Sequence, residues 1–120
     1  CGIPQQENIA ATELFSRISV VDAKSKLDSG WQPFVLDVRK DHEIQIVSLD
    51  FVDMAHPHEK VQDIASTLPT DRDILIHCKM GGRSAKACQQ LIDSGITRVY
   101  NLEGGITAWA KEIDKSLPTY

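Results

Sequence analysis

Short apolar runs alternate with stretches of helical character along the chain from residue 18 onward. The runs that predict strands are 18–21, 33–39, 50–54, 73–77 and 98–102. The stretches that predict helices are 23–29, 57–68, 83–94 and 106–113. Such alternation predicts an α/β fold, a single domain whose mainly parallel sheet of about five strands is covered by helices on both faces.

Individual residues predict where several helices begin and end. We expect Asp22 to cap the helix 23–29, because its carboxylate can accept hydrogen bonds from the first free backbone amides. Pro57 suits the start of the helix 57–68, since proline has no amide hydrogen to satisfy there. The predicted helix ends are Gly30, Pro69 and Gly95. One face of the helix 83–94 carries Ser84, Cys88, Leu91 and Ile92.

Composition and charge narrow the class of protein. The chain has 120 residues, of which 42% are hydrophobic and 25% charged, as expected for one globular domain. Its 13 basic and 17 acidic residues are mixed along the chain, so no basic stripe is available for nucleic acid. No apolar run approaches the ~18 residues of a membrane span, and no apolar signal segment opens the chain. We therefore expect a cytoplasmic protein with neither a nucleic-acid nor a membrane partner.

The cysteines and histidines argue against disulfides and metals. Three cysteines, Cys1, Cys78 and Cys88, are an odd and sparse set for a secreted disulfide framework. His56 and His58 flank a proline in a predicted turn, but a zinc site needs three or four converging groups. We expect no metal site and no cofactor.

The clearest predicted strand runs into a glycine-rich turn that opens the next helix. In a parallel sheet this turn lies at the carboxyl edge, where open α/β folds bind ligands. Gly81 and Gly82 allow the backbone conformations that turn successive amides inward into an anion nest. The amides, the amino end of the helix and the cations Lys79 and Arg83 then favour the thiolate form of Cys78.

The competing interpretation of Cys78 is a small buried hydrophobe, as most free cysteines are. The succession of strand, cysteine, two glycines, arginine and helix favours a nucleophile instead. Cys88 provides the contrast, because it lies in mid-helix on the apolar face and is expected to pack in the core. A catalytic thiolate at Cys78 is therefore the central prediction.

Three motifs together resemble the rhodanese family of sulfurtransferases over roughly residues 18–113. They are Leu36-Asp37-Val38-Arg39 with Glu43, Cys78-x-x-Gly81-x-Arg83, and Leu102-x-Gly104-Gly105-x-x-Ala108-Trp109. The resemblance implies that Cys78 accepts sulfane sulfur as a persulfide. The substrate-binding residues that it implies are Lys79, Met80, Gly81, Gly82, Arg83 and Ser84. Asp37 and Arg39 would support the base of the loop.

The segments 78–87, 104–109 and 116–120 resemble more closely the rhodanese domain that ends molybdopterin-synthase adenylyltransferase/sulfurtransferase proteins. This implies a linker over 1–17 from an upstream, ubiquitin-activating-like adenylation domain, and a rhodanese domain over 18–120. An opening cysteine in place of methionine agrees with that expectation. The implied sulfur donor is thiosulfate or a protein persulfide such as that of a cysteine desulfurase. The implied acceptor is the C-terminal glycine of a ubiquitin-like sulfur carrier, for molybdopterin, thiamine or thiolated tRNA.

Other motif residues are expected to have structural roles. We expect Arg39 and Glu43 to form an ion pair that braces a turn. Asp37 is expected to cap the loop or to orient Arg83, because carboxylates at strand ends commonly accept loop amides. Packing of the last helix is the predicted role of Gly104, Gly105 and Trp109.

Two neighbours of the nucleophile and one segment complete the predictions. His77 is expected to face away from the substrate, because side chains alternate along a strand. Ser84 begins the following helix, where its hydroxyl can donate to the sulfur. The segment 44–59 lacks the glycine-containing turn of many rhodaneses, so the resemblance does not predict its backbone.

Two other functions match part of the pattern. Cysteine-dependent phosphatases also combine His-Cys, a curled loop and an arginine, but they place five residues between cysteine and arginine. Here four residues separate Cys78 from Arg83, and the smaller ring suits a single bound sulfur. Non-catalytic interaction modules of the same fold usually lose the cysteine or the basic loop residues, which are present here. The sequence therefore favours sulfur transfer.

Overall fold

One parallel sheet of five strands organises the part of the chain that the computed structural model describes, residues 15–120. The strands are β1 (Ser16–Ser19), β2 (Phe34–Asp37), β3 (Met54–Ala55), β4 (Ile74–His77) and β5 (Val99–Glu103). Their order across the sheet is β1-β5-β4-β2-β3, and every neighbouring pair is parallel. The predicted α/β class and parallel sheet are confirmed.

Helices cover both faces of this sheet. They are α1 (Val20–Asp28), α2 (Asp41–Ile46), a 3₁₀ segment (His58–Thr67), α3 (Gly82–Asp93) and α4 (Gly105–Glu112). On one face Leu36 and Ile76 pack with α3 and the 3₁₀ segment. On the other face Val35 and Leu75 pack with α1 and α4. Burial on both faces explains why β2 and β4 are almost continuously apolar in sequence.

The first strand and helix begin earlier than predicted. β1 ends at Ser19, whose Oγ accepts a hydrogen bond from the Asp22 amide at 3.1 Å and caps α1. Asp22, the predicted cap, lies in the first turn of α1, where its charge suits the positive end of the helix. The β-branched Val20 and Val21 suggested a strand, but Val20 is buried on the helix face while Val21 is half exposed.

The stretch between β2 and β4 is less regular than predicted. The predicted strand 50–54 is reduced to the two residues of β3, although the Asp53 amide still bonds to the Val35 carbonyl at 2.9 Å. The predicted α-helix 57–68 is a 3₁₀ segment interrupted at Lys60. Its first turn is tied to the sheet, because the His58 amide donates to the Val38 carbonyl at 3.1 Å.

The domain also begins before the predicted boundary. Phe15 is buried in the core beside α3, and Ser16 and Arg17 pair with β5. Ser16 and Arg17 therefore belong to the sheet and not to a linker. The sequence did not indicate this, because their strand character depends on the pairing with β5. The remaining prediction for the linker, residues 1–14, lies outside the described residues.

The parallel topology brings three strand ends to one edge of the sheet. Asp37 at the end of β2 is in register with His77 at the end of β4. Beyond those ends follow the segment containing Arg39, the cysteine loop and the Gly104-Gly105 pair. In residues 15–120, no helix is long and apolar enough to cross a membrane.

Candidate active site

The loop between β4 and α3 holds Cys78 at the carboxyl edge of the sheet. Its thiol is buried, with only 1% of the residue exposed. The Gly81 amide donates a hydrogen bond to Cys78 Sγ at 3.0 Å. Gly81 adopts φ = +105° at the cap position of α3, which lets its amide turn towards the sulfur. The sulfur therefore lies at the amino end of a helix of twelve residues, where partial positive charge favours an anion.

A buried polar pair lies beside the sulfur. Ser84 Oγ is 3.4 Å from Cys78 Sγ and also donates a hydrogen bond to the side-chain oxygen of Asn101. The Asn101 amide nitrogen donates to the Gly81 carbonyl at 3.2 Å. Because a hydroxyl has a single hydrogen, Ser84 can donate to Asn101 or to the sulfur, but not to both at once.

Sequence reasoning missed Asn101. It is fully buried on β5 and holds both the loop backbone and Ser84. The available signal was an asparagine between the apolar residues of the predicted strand 98–102, because a buried amide needs partners for its hydrogen-bonding groups.

The amino end of α4 supports the cysteine loop through backbone hydrogen bonds. The Ile106 amide donates to the Cys78 carbonyl, and the Thr107 amide donates to the Lys79 carbonyl, each at 3.0 Å. At Gly105, a Cβ would lie 2.5 Å from both of those carbonyl oxygens. Only a residue without a side chain allows this approach.

The expectation for Gly104, Gly105 and Trp109 was therefore incomplete. Trp109 does pack in the core, against the Phe51 ring. Gly105, however, contacts the backbone of the cysteine loop directly, which the sequence could not indicate because the two segments are distant along the chain.

Arg83 pairs with Glu43, which corrects the predicted pair of Arg39 with Glu43. Arg83 Nη1 and Nη2 lie 2.6 and 2.7 Å from the two carboxylate oxygens, a bidentate ion pair. The Lys40 amide and the Tyr120 hydroxyl also donate to this carboxylate, at 3.1 and 2.8 Å. The Arg83 hydrogen bonds, followed by these donors, hold the pKa of buried Glu43 far below its ordinary value. The same bonds raise the pKa of Arg83.

Arg39 pairs instead with Asp37. Its Nε and Nη2 donate to the two oxygens of that carboxylate at 3.0 and 2.7 Å, and both residues are buried. Nη2 also donates to the Val47 carbonyl at 2.8 Å. Asp37 is therefore fully engaged at the base of the loop and does not orient Arg83, as the sequence had suggested it could.

His77 is buried on the sheet face that carries Leu75, opposite the face of Ile76. Its Nε2 lies 3.6 Å from an Asp37 oxygen, and neither ring nitrogen has a hydrogen-bond partner among residues 15–120. Burial lowers the pKa of His77, so the imidazole is neutral at physiological pH.

The remaining predicted loop residues face outward. Met80 is 66% exposed, and Gly82 is also exposed. The Lys79 ammonium lies 4.6 Å from the centroid of the Tyr120 ring. Lys79 has no carboxylate partner within residues 15–120, so it is the loop cation whose charge is not compensated by an ion pair.

Cys88 differs from Cys78 in every respect that matters for reactivity. It is fully buried in the apolar contact of α3 with the sheet, as predicted. Burial raises the pKa of its thiol well above the ordinary value. A thiol that burial keeps protonated is inert as a nucleophile.

The Arg83–Glu43 pair predicts how stability depends on pH. Glu43→Gln is expected to lower the free energy of unfolding by about 1–3 kcal/mol at neutral pH, because it removes one partner of a partly buried ion pair. The folded pKa of Glu43 is depressed, so its contribution is complete above the ordinary value of 4.5 and is lost as the pH falls below it. Urea unfolding of both proteins between about pH 7 and pH 3 measures the difference.

Glu112→Gln, an exposed carboxylate on α4, is the control, for which we expect a small difference at every pH. A gap between wild type and Glu43→Gln that stays constant down to about pH 3 would contradict the assigned pairing.

Comparison with known proteins identifies relatives of this domain. The family model described as "Rhodanese-like domain" matches residues 19–112. The "Rhodanese-like/PpiC domain-containing protein 12, chloroplastic" of Arabidopsis thaliana is 38% identical over 96 residues, which cover 72% of this chain and 30% of that protein. The "Probable adenylyltransferase/sulfurtransferase MoeZ" of Mycobacterium tuberculosis is 31% identical over 122 residues, which cover 100% of this chain and 31% of that protein.

This chain thus spans about a third of the length of those relatives. A solved structure, that of a rhodanese-like domain protein from Staphylococcus aureus, matches with a TM-score of 0.72 and 27% identity. The match covers 88% of this chain and 98% of that one, so the two folds agree over nearly their whole length.

Proposed function

The chain belongs to the rhodanese-like domain family and is a sulfurtransferase of the rhodanese type, and on this premise we propose that Cys78 carries sulfane sulfur as a persulfide. The observation that carries the proposal is the 3.0 Å hydrogen bond from the Gly81 amide to Cys78 Sγ, at the amino end of α3. An amide donor together with a helix terminus stabilises a sulfur anion.

In the loading step, the Cys78 thiolate attacks the outer sulfur of a donor such as thiosulfate. A bond forms between Cys78 Sγ and that sulfur while the S–S bond of thiosulfate breaks. Sulfite leaves with the bonding electron pair, and the persulfide keeps one negative charge. The uncompensated ammonium of Lys79 supports the binding of such a dianionic donor.

In the discharge step, a nucleophile attacks the outer sulfur of the persulfide. With cyanide the products are thiocyanate and the regenerated Cys78 thiolate, so charge and electrons balance. Ser84, 3.4 Å from Sγ, and the Gly81 amide can donate to the thiolate that leaves. Stabilising the leaving sulfur anion lowers the barrier to transfer.

The physiological partners are a further part of the proposal. The donor is thiosulfate or a protein persulfide such as that of a cysteine desulfurase. The acceptor is the C-terminal glycine of a ubiquitin-like sulfur carrier, which becomes a thiocarboxylate, in a molybdopterin, thiamine or tRNA-thiolation pathway. The support is a relative named as a probable adenylyltransferase/sulfurtransferase, to which this chain is similar over 100% of the chain's own length. An upstream adenylation domain and a cytoplasmic location remain predictions of the same kind.

The length of the loop provides the test of this function against phosphatase chemistry. Four residues separate Cys78 from Arg83, so the loop should be too short to surround a phosphoryl group. Inserting one glycine between Gly81 and Gly82 is expected to lower thiosulfate:cyanide sulfurtransferase activity at least ~10-fold, about 1.4 kcal/mol of transition-state stabilisation. Phosphatase activity on p-nitrophenyl phosphate should be absent from the unmodified domain.

The matched control places the extra glycine after Gly95, which lies in an exposed turn. Within the part of the chain that the structure describes, no atom lies within 4 Å of a Cβ at that position. Sulfur transfer by this variant should stay within about twofold of wild type, since surface loops tolerate insertions. If the unmodified domain hydrolyses the aryl phosphate faster than it transfers sulfur, the sulfurtransferase proposal is wrong and the protein is a phosphatase.

A further inference from the structure

The Tyr120 side chain lies against the cysteine loop and is anchored by its hydroxyl. The oxygen accepts a hydrogen bond from Arg39 Nη1 at 3.1 Å. It donates to the Glu43 carboxylate at 2.8 Å, and that carboxylate also holds Arg83. Arg39 and Glu43 are themselves buried, and each has other hydrogen-bond partners that hold it in place. The tyrosine ring is therefore held in one place beside the loop.

The face of that ring holds Lys79. The ammonium nitrogen lies 4.6 Å from the ring centroid, within the range of a cation–π interaction. Lysine has a long and flexible side chain, and within residues 15–120 no carboxylate pairs with this one. The ring is thus the contact that restricts where the positive charge of Lys79 lies.

We propose that Tyr120 is a positioning residue: its ring holds the ammonium of Lys79, the residue that follows Cys78, so that this charge attracts the anionic end of the sulfur donor. The inference rests on the proposed sulfur transfer. Tyr120 need not touch the donor, because its effect passes through the ammonium that it holds. A charge held in place acts on the anion without first losing the side-chain entropy that an unrestrained lysine would lose.

The first test is a double-mutant cycle on thiosulfate:cyanide transfer. Tyr120→Leu, which keeps an apolar side chain in the core contact, should raise the KM for thiosulfate ~5-fold with kcat within about twofold. Lys79→Met should raise KM at least as much. The double variant should have the KM of Lys79→Met alone, because the tyrosine then has nothing to position. Tyr120→Phe keeps the ring but loses its anchors, so KM should rise only ~2-fold.

The matched control is Tyr100, whose ring lies 5.3 Å from the Lys26 ammonium, away from the loop. Tyr100→Leu should leave the KM for thiosulfate unchanged. Additive effects of Tyr120→Leu and Lys79→Met would overturn the proposal, because they would show that Tyr120 acts independently of Lys79. A loss of kcat without a rise in KM would also overturn it.

Proton NMR measures the contact without any sulfur transfer. The side-chain methylene protons next to the ammonium should be shifted upfield for Lys79, because they lie over an aromatic ring. Tyr120→Leu should abolish that shift and leave the Lys26 signals in place. An unchanged Lys79 signal would overturn the positioning contact. A wild-type domain that shows the shift but transfers no sulfur would refute the proposed function and leave the contact standing.

Discussion

Replacing Cys78 by alanine is expected to abolish sulfur transfer, lowering thiosulfate:cyanide activity by at least ~10³-fold. The variant should still fold, because alanine fills most of the space of a buried cysteine and leaves the supporting bonds of the loop backbone intact. Mass spectrometry after incubation with thiosulfate should show one added sulfur atom on Cys78 of the wild type and none on the variant. Cyanide should remove that sulfur again.

Cys88→Ala is the matched control, because Cys88 is also buried and also a free thiol. Its activity should stay within about twofold of wild type, while the small cavity lowers the free energy of unfolding by about 1 kcal/mol. Equal loss of activity in both variants would mean that Cys78 is not the sulfur carrier. Retained activity in Cys78→Ala would leave only a non-catalytic role for the loop.

Replacing Gly105 by alanine should damage both stability and activity, although Gly105 carries no reactive group. The added Cβ would lie 2.5 Å from the carbonyl oxygens of Cys78 and Lys79, so α4 must move away from the loop. The two hydrogen bonds from the amino end of α4 to the loop would then be lost or stretched. We expect the free energy of unfolding to fall by about 2–4 kcal/mol, and kcat for sulfur transfer to fall ~10–100-fold.

Gly30→Ala is the matched control for Gly105→Ala. Gly30 also has a positive φ, +106°, but no atom of the described residues 15–120 lies within 4 Å of a Cβ at that position. Its alanine variant should show only the backbone strain, about 1–2 kcal/mol, with unchanged kcat. Urea unfolding and initial rates of thiocyanate formation measure both variants. Normal kcat in a folded Gly105→Ala protein would contradict the role of α4 in supporting the loop.

The local pattern was sufficient to predict the fold and the position of the loop. Apolar runs identified β2, β4 and β5, and the strand-to-helix turn at Cys78 follows from the glycines and the helix beyond them. The position of Cys88 on the apolar face of the predicted helix 83–94 identified it as a core residue, and the structure confirms its burial. These features depend on neighbours within a few residues, which periodicity and backbone preference report directly.

The boundaries that sequence predicted wrongly depended on packing between distant segments. Ser16 and Arg17 are strand residues only because β5 lies beside them. Ser19, and not Asp22, caps α1, because the helix begins at Val20, whose side chain is buried on the helix face. Either residue type can cap a helix, so local preference alone did not decide between them.

The sequence by itself determined the sheet, the loop and the cysteine in it, whereas the tertiary structure decided which charges meet. Glu43 could pair with either arginine by residue type, and the nearer one in sequence, Arg39, was the expected partner. The fold instead joins Glu43 to Arg83 across 40 positions and to Tyr120 across 77. The attraction between two charges depends on their distance in space and not on their separation along the chain. The ion-pair partners are therefore known only once the fold has brought the strand ends to one edge of the sheet.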